Sequence, residues 1–285
     1  MVSTLLKIFF LLSSALSPFF VYAASPTLSV FPQRIIQGEP LEIIVQPATL
    51  SQIKSISFNG EKLGVFLYKN KPTAFVGIGI NQKPAVYTLS AVLSDGTTLE
   101  RNVIVNERKK IKVAFSIPVK LGGNSTSSQQ TLVSTLALEN QQLIDLPTSA
   151  QALWTNKFLY PLSHITVTDG YGYIRQTGNY SILHKGTDFQ AQEGTPVKAM
   201  NRGIVRLAKE FRNYGNTVII DHGLGLMTFY MHLSKINVTV GELVPQGHVI
   251  GLSGQTGYAA QPHLHLTVRI NDVSIDPIKF MALFK

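Results

Sequence analysis

The sequence predicts a mainly β protein built from two β-rich parts, and three observations support this prediction. The chain has 285 residues, which is the length of about two domains. Short β-branched or alternating runs recur in both halves, separated by turns that contain glycine, asparagine or aspartate. All 7 histidines lie from His164 onward, so the two halves differ in the chemistry that they can carry.

Composition excludes several classes of protein. A hydrophobic fraction of 45% and a charged fraction of 14% exclude a wholly disordered chain. The absence of cysteine excludes a disulfide framework, thiol catalysis and thiolate metal sites, so a metal would have to be bound by His, Asp or Glu. The formal net charge of +9 suits anionic surroundings such as a cell wall, but the cations are dispersed and predict no nucleic-acid partner.

Residues 1–23 are predicted to be a secretory signal peptide. Lys7 precedes an apolar run, which ends at the small residues Ala23 and Ala24. A membrane anchor is the alternative, but Pro18 and the shortness of the run favour cleavage. We therefore expect a protein exported to the periplasm, the cell wall or the medium, with no stable membrane insertion after cleavage.

Residues 27–117 are predicted to form a β-sandwich accessory domain of the immunoglobulin-like kind. The predicted strands are 41–45, 53–58 and 86–93, and the predicted hairpin turns are Asn59-Gly60 and Asp95-Gly96. This region has no histidine, which favours a role in spacing, binding or regulation.

Residues 118–150 are predicted to be a linker with a short helix, and the domain boundary is placed near residue 150. The predicted N-cap is Ser128, the apolar positions are Leu132, Leu136 and Leu143, and Pro147 is the predicted end of the helix.

Residues 151–285 are predicted to form a second β-rich domain. The predicted strands are 203–208, 216–221, 226–232, 236–240, 248–252 and 263–270. This domain holds every histidine of the chain and therefore every candidate metal site that uses imidazole.

Three short segments of the second domain point to metal chemistry. His184 and Asp188 lie four residues apart, in a stretch whose glycine favours a loop running into a strand. Alternation in a strand places His263 and His265 on one face, where a divalent cation can bind neutral imidazole, and the alternative is a solvated polar face. His232 adds a third strand-borne imidazole, predicted to share a face with Tyr230, although a lone histidine is more often structural.

Together these segments offer the ligand types of an open catalytic zinc site. Such a site uses three His or carboxylate ligands and leaves a fourth position for water. Two His and one Asp satisfy that requirement here, and two further histidines remain for proton transfer.

An ordered set of motifs over about 155–280 resembles the lysostaphin-type (LytM-type) zinc endopeptidase family. The matching segments are His184-Lys185-Gly186-Thr187-Asp188, Gly194-Thr195-Pro196-Val197, Tyr214-Gly215-Asn216-Thr217-Val218, Asp221-His222-Gly223, Tyr230-Met231-His232-Leu233-Ser234, Gly251-Leu252-Ser253-Gly254-Gln255-Thr256-Gly257 and Pro262-His263-Leu264-His265. Each is short, but their order makes the set specific.

The resemblance implies a fold, a cofactor and roles for five residues. The fold is an antiparallel β-sheet groove, and the substrates are peptide cross-bridges or stem peptides of bacterial peptidoglycan. His184, Asp188 and His265 would bind Zn²⁺, while His232 and His263 would be the catalytic histidines. No other cofactor is implied.

Other polar residues of this domain are given structural roles. His164, His248, Glu193 and Glu242 are predicted to lie on the surface, and His222 is predicted to be a turn residue. For Arg175 a structural role is favoured over binding a substrate carboxylate. For Tyr230 the pattern favours neither lining the groove nor packing in the core.

The leading functional hypothesis is a zinc-dependent endopeptidase acting on peptidoglycan peptides. The alternatives are a non-catalytic peptidoglycan-binding or regulatory module that keeps the fold, and an adhesin or scaffold with incidental histidines. We also expect the linker and the accessory domain to cover or position the groove, since an unrestrained wall hydrolase endangers its own cell. The bond cleaved, D-Ala–diaminopimelate or Gly–Gly, and the oligomeric state stay open.

Overall fold

The computed structural model describes residues 24–154 and 157–284, and the chain is mainly β, as predicted. The predicted signal peptide, residues 1–23, lies outside the described residues. Within the described part, none of the helices combines the length and the apolar character that a membrane crossing requires.

Two sheets form the first half of the chain. Its strands are β1 (Thr27–Phe31), β2 (Ile35–Ile36), β3 (Pro40–Gln46), β4 (Ile53–Phe58), β5 (Glu61–Lys62), β6 (Val65–Tyr68), β7 (Lys71–Gly77), β8 (Ala85–Leu93) and β9 (Thr98–Asn106). One sheet has the order β1-β3-β7-β6 and the other the order β2-β9-β8-β4-β5. The predicted strands 41–45, 53–58 and 86–93 are confirmed as β3, β4 and β8.

The two sheets share one hydrophobic core. Alternate residues of β8, Leu89, Ala91 and Leu93, are buried against Ile43 of β3, because successive side chains of a strand point to opposite faces. The predicted turn Asn59-Gly60 has φ values of 50° and 86°, as a tight hairpin between β4 and β5 requires. The immunoglobulin-like topology stays a prediction.

A segment that we call the strap, residues 112–146, connects the two halves. It contains β10 (Lys112–Ala114), a 3₁₀ turn (Val119–Leu121) and the helix α1 (Thr126–Gln141). The predicted cap was wrong, because Ser125 caps α1 by accepting a hydrogen bond of 3.2 Å from the backbone N–H of Ser128. The predicted end at Pro147 was also wrong, since α1 ends at Gln141 and the chain turns before the proline is reached.

The second half is built on a large antiparallel sheet. Its elements are β11 (Val167–Asp169), β12 (Ile174–Thr177), β13 (Tyr180–Leu183), β14 (Thr187–Gln190), β15 (Pro196–Lys198), β16 (Gly203–Phe211), β17 (Gly215–Asp221), β18 (Leu226–Leu233), β19 (Lys235–Ile236), β20 (Leu243–Val244), β21 (Val249–Leu252), β22 (His263–Ile270), β23 (Val273–Ile275) and the helix α2 (Pro277–Ala282).

Three sheets are formed from these strands and from β10. The large sheet has the order β11-β14-β22-β18-β17-β16-β20, with β23 paired to β22. Two three-stranded sheets have the orders β15-β21-β19 and β10-β12-β13. The strap contributes β10 to the β10-β12-β13 sheet. The predicted strands of this half are found, except that 236–240 was too long and only Lys235–Ile236 forms β19.

Strand β22 has one face in the main hydrophobic core, and its other face carries the histidines. Leu264, Leu266 and Val268 are fully buried in the core, so the intervening residues point to the opposite face. The sequence prediction that His263 and His265 share a face is therefore confirmed.

Aromatic side chains join the two halves on the core side of this sheet. Phe66 and Phe75 of the first half pack against Trp154, with ring centroids 4.9 Å and 6.3 Å away, and Phe284 lies 5.7 Å from Phe75. This junction lies on the core side, opposite the face of β22 that carries the histidines.

Candidate metal centre

Strand pairing brings two of the predicted ligands together. Asp188 of β14 lies directly opposite His265 of β22, and His184 comes just before β14. The glycine between His184 and Asp188 permits this approach, because a Cβ on Gly186 would collide with the His265 ring and lie 2.6 Å from the Leu266 carbonyl oxygen. The predicted loop running into a strand is thus the observed arrangement.

Three ligand atoms converge on one point. His184 Nε2 lies 3.1 Å from Asp188 Oδ1 and 3.0 Å from His265 Nδ1. His265 Nδ1 lies 2.7 Å from the same carboxylate oxygen. Among the described residues these three form a group of His, Asp, Glu or Cys that could hold a metal ion, and all three are buried.

Outer hydrogen bonds decide which ring nitrogen faces the centre. His184 donates from Nδ1 to the Gly170 carbonyl oxygen at 2.8 Å, which leaves Nε2 with a lone pair. The Thr267 hydroxyl donates to the Lys185 carbonyl oxygen at 3.3 Å and can therefore accept from His265 Nε2 at 2.9 Å. His265 Nδ1 is then also unprotonated.

Two imidazole lone pairs and a carboxylate oxygen thus face one another, with outer partners for the ring protons. That donor set fits a divalent cation that accepts nitrogen and oxygen ligands. Burial lowers the pKa of His265 to about 4, against the raising effect of Asp188. Burial alone would raise the pKa of Asp188, but the neighbouring His184 and His265 lower it well below its usual range, so the group is a carboxylate.

Arg175 contacts the oxygen of Asp188 that faces away from the centre. Its Nη2 forms an ion pair with Asp188 Oδ2, and its Nε donates to Asp169 at 2.7 Å. The guanidinium also stacks over the Phe115 ring at 5.0 Å. Arg175 therefore holds Asp188 in position, which agrees with the structural role that the sequence analysis favoured.

His232 lies beside the three ligands in an unusual backbone conformation. Its φ is 62°, in the left-handed region, and the pairing of β17 with β18 shifts register next to it. Tyr230 is fully buried in the core, where its hydroxyl oxygen accepts a hydrogen bond of 2.9 Å from the Met200 backbone N–H. The prediction that Tyr230 and His232 share a face was wrong, because the left-handed residue breaks the alternation and turns the imidazole to the ligand face.

The two histidines outside the ligand set face each other. The ring centroids of His232 and His263 are 4.8 Å apart. Nδ1 of His232 donates to the Thr256 carbonyl oxygen at 2.9 Å, and Nδ1 of His263 donates to that of Gln261 at 2.8 Å. Both rings are therefore fixed with Nδ1 protonated and Nε2 free. Burial, followed by the charges of His263 and His265, lowers the pKa of His232 well below its usual range.

The remaining histidines lie elsewhere. His164 and His248 are exposed, as predicted, and so is Glu193. His222 is in a turn, as predicted, but is also fully buried, with Nδ1 donating to the Arg202 carbonyl oxygen at 2.9 Å and Nε2 2.8 Å from the Thr228 hydroxyl.

The metal centre lies between an enclosed cavity and an open cleft. The cavity is lined by His184, His232 and His265 on its floor, and the cleft by Asp188 and His263. The strap forms the roof of the cavity through Phe115, Leu132, Leu136 and Asn140.

Buried polar contacts hold the strap in this position. The Glu139 carboxylate accepts hydrogen bonds from the backbone N–H groups of Asn213 at 3.0 Å and Tyr214 at 3.4 Å. The expectation that the linker covers the groove is thus met by the strap, whose effect on hydrolysis stays a prediction.

Sequence reasoning missed the outer partners of the ligands. Thr267 had a usable signal, since it alternates with His263 and His265 on β22. The contacts from Gly170, Thr256 and Arg175 join residues 14, 24 and 13 positions apart on different strands or loops, so no local pattern signals them.

Comparison with known proteins agrees with this geometry. The model of peptidase family M23 matches residues 182–277, which include all five candidate residues. DD-carboxypeptidase/endopeptidase Mpg of Neisseria meningitidis is 38% identical over 122 residues, covering 41% of this chain and 27% of that protein. Peptidoglycan DD-endopeptidase ShyB of Vibrio cholerae is 28% identical over 242 residues, covering 79% of this chain and 54% of that protein.

One solved structure matches most of the chain. A crystal structure from Pseudomonas aeruginosa, assigned to peptidase M23, superposes with a TM-score of 0.64 at 24% identity. The match covers 88% of this chain and 96% of that one, which shows that the two-part fold is shared. The aligned region spans 27% to 54% of the two curated relatives above.

Proposed function

Residues 182–277 belong to peptidase family M23, and from this premise we propose that the chain is a zinc-dependent endopeptidase of bacterial peptidoglycan peptides. The single observation that carries the proposal is the convergence of three buried ligand atoms, from two His and one Asp, beside two further imidazoles. The names of the relatives, which include peptidoglycan endopeptidases, supply the substrate class.

We assign zinc to His184, Asp188 and His265. Two neutral imidazoles and one carboxylate are a ligand set of catalytic zinc sites, and thiolates are absent from the chain. When bound, zinc supplies a Lewis acid that polarises the scissile carbonyl and makes water more acidic.

His232 and His263 are the proposed catalytic residues. Their Nδ1 protons are held by backbone carbonyls, so each Nε2 is free to take a proton from the attacking water. The same atom can return that proton to the leaving amine. In its protonated form either ring can donate a hydrogen bond to the developing oxyanion.

The cross-link that we propose as substrate is the D,D type. The relative that aligns over 79% of the chain is named a peptidoglycan DD-endopeptidase, which favours this bond over a glycine bridge. Such a substrate places the protein outside the cytoplasm, in agreement with the signal peptide predicted over residues 1–23. We further propose that 27–117 is an accessory domain, 118–150 a linker and 151–285 the peptidase domain.

The test is digestion of purified peptidoglycan sacculi by full-length protein, with the released peptides identified by mass spectrometry. Hydrolysis should disappear with a chelator and return with added zinc. His232→Ala and His263→Ala should each lower the rate by about 10²–10⁴-fold while the zinc content is kept. His184→Ala should lose zinc, and the exposed control His164→Ala should change neither quantity.

Activity that is indifferent to chelation would refute the enzyme proposal. A protein that binds sacculi and holds zinc but releases no peptide would instead support the non-catalytic binding module.

A further inference from the structure

The face of β22 that carries the histidines continues toward a buried cation. Residues 263, 265, 267 and 269 alternate on this face, and Arg269 is only 8% exposed. Lys185, an exposed residue that directly follows the ligand His184, lines the same enclosed cavity as Arg269. The floor of the cavity therefore carries two positive side chains beyond the metal centre.

Arg269 lacks the acidic partner that a buried guanidinium normally has. Its Nη1 donates to the Leu143 carbonyl oxygen, and its plane lies 4.5 Å over the Phe229 ring. Its Nε is buried without a hydrogen-bond partner. Buried charges are usually paired, because an unpaired charge loses its hydration without compensation.

Among the described residues, no Asp or Glu lies within ion-pair distance of Arg269 or Lys185. Neither Arg269 nor Lys185 has a carboxylate oxygen within 4.0 Å, although the charge of Asp272 acts on Arg269 from farther away. The two cations also repel each other. A buried unpaired cation beside an exposed one at the same cavity is an arrangement that an anionic ligand stabilises.

The pair is reached from the metal centre and from solvent. The enclosed cavity connects it to His184 and His265, and an open cavity on the other side is lined by Lys185, Arg269, Asp272 and Ser274. A bound peptide can therefore enter beside the C-terminal end of the strap and extend toward the metal-binding residues His184 and His265.

We propose that Arg269 and Lys185 form a subsite that binds a carboxylate of the peptide substrate. The proposal rests on the proposed function, because it treats the β22 floor as the path of the cleaved peptide. Arg269 lies four positions beyond His265 along β22, which corresponds to about 13 Å. The recognised carboxylate therefore lies about three to four residues from the scissile bond in an extended peptide.

A carboxylate can accept the hydrogen bonds that Arg269 does not make within the protein. The Arg269 Nε is a free donor, and a carboxylate accepts paired hydrogen bonds from guanidinium. The Lys185 ammonium adds a second charge at the same cavity. If Arg269 serves only to hold the strap through Leu143, no such preference for an acid over its amide exists.

The experiment compares binding of two probes by the full-length, zinc-loaded protein in a His263→Ala background that prevents hydrolysis. One probe is a purified cross-linked peptide dimer from peptidoglycan, and the other is the same dimer with its carboxylates converted to primary amides. The acid form should bind at least about tenfold more tightly. Arg269→Gln and Lys185→Gln should each reduce this ratio toward one.

Lys54→Gln is the matched control, since it removes one exposed positive charge from the first half of the chain. It should keep the full preference for the acid. If Arg269→Gln does not fold, as judged by its circular dichroism, Lys185→Gln carries the test. A ratio near one in the unmodified subsite, or a ratio unchanged by the substitutions, overturns the proposal.

Hydrolysis separates this proposal from the one on which it rests. Cleavage of both dimers at equal rates by protein with His263 intact would refute the subsite and leave the peptidase standing. A clear binding preference without any cleavage would refute the peptidase and retain the subsite.

Discussion

The hydroxyl of Thr267 should control how tightly the centre binds zinc. It accepts from His265 Nε2 at 2.9 Å and donates to the Lys185 carbonyl oxygen at 3.3 Å. Thr267→Val keeps the shape of the side chain but leaves the imidazole proton without its partner. The ring can then move that proton to Nδ1, which faces Asp188.

The expected loss of zinc affinity is about 10- to 100-fold, as for other outer partners of metal-bound histidine. That range corresponds to about 1.4–2.7 kcal/mol. Competition with a chromophoric zinc chelator measures it directly, without any hydrolysis.

Thr187→Val is the matched control for this change. Thr187 is also a buried threonine of the large sheet and precedes the ligand Asp188, but its hydroxyl has no hydrogen-bond partner. It should bind zinc within about twofold of the unaltered protein. Equal affinities for the two valine variants would show that Thr267 does not set the tautomer of His265.

Three further changes test other features. Burial lowers the pKa of His222 to about 4, below its ordinary 6.5, so the folded state resists the proton that the unfolded state accepts. The contribution of His222 to the free energy of unfolding should therefore be fully present above pH 6.5 and fall by up to about 3 kcal/mol as the pH drops to 4. In His222→Gln the melting temperature should depend less steeply on pH over this range. Glu139→Ala removes the acceptor that anchors the strap, which costs about 1–3 kcal/mol, so hydrolysis of peptidoglycan should rise about tenfold if the strap limits access. Gly186→Ala places a methyl group against the His265 ring and should weaken zinc binding at least tenfold in the same chelator titration.

Each of these changes has a control in the chain. His248 and Glu193 are exposed, so His248→Gln and Glu193→Ala should behave like the unaltered protein. A Cβ on Gly79 would meet its nearest neighbour at 3.8 Å, so Gly79→Ala should bind zinc normally. An unchanged pH slope in His222→Gln, or unchanged hydrolysis in Glu139→Ala, would contradict the corresponding argument.

Strand periodicity made much of the site predictable. Alternation along β22 placed His263 and His265 on one face, and the short spacing from His184 to Asp188 indicated a pair of nearby ligands. Such patterns are local, so they can be recognised in the sequence without knowledge of the fold. The strands of both halves were predictable for the same reason.

Departures from ideal geometry were not predictable. His232 adopts a left-handed conformation at a shift in strand register, and alternation alone assigned it to the face of Tyr230. The N-cap of α1 is Ser125 and not the predicted Ser128, because several serines and threonines near the start of the helix are suited to that position. Contacts such as Arg175 with Asp188 depend on how the β10-β12-β13 sheet lies over the site, which no local pattern encodes.

The aromatic junction between the halves has a consequence for how the molecule unfolds. Phe66 and Phe75 belong to the same hydrophobic cluster as Trp154 and Phe284, although a boundary near residue 150 separates them in sequence. Removing rings of this size from a cluster costs about 3–5 kcal/mol each. Whole domains have only about 5–15 kcal/mol of stability. The two halves should therefore melt in one cooperative transition, and a chain truncated near that boundary would lose a substantial part of its stability.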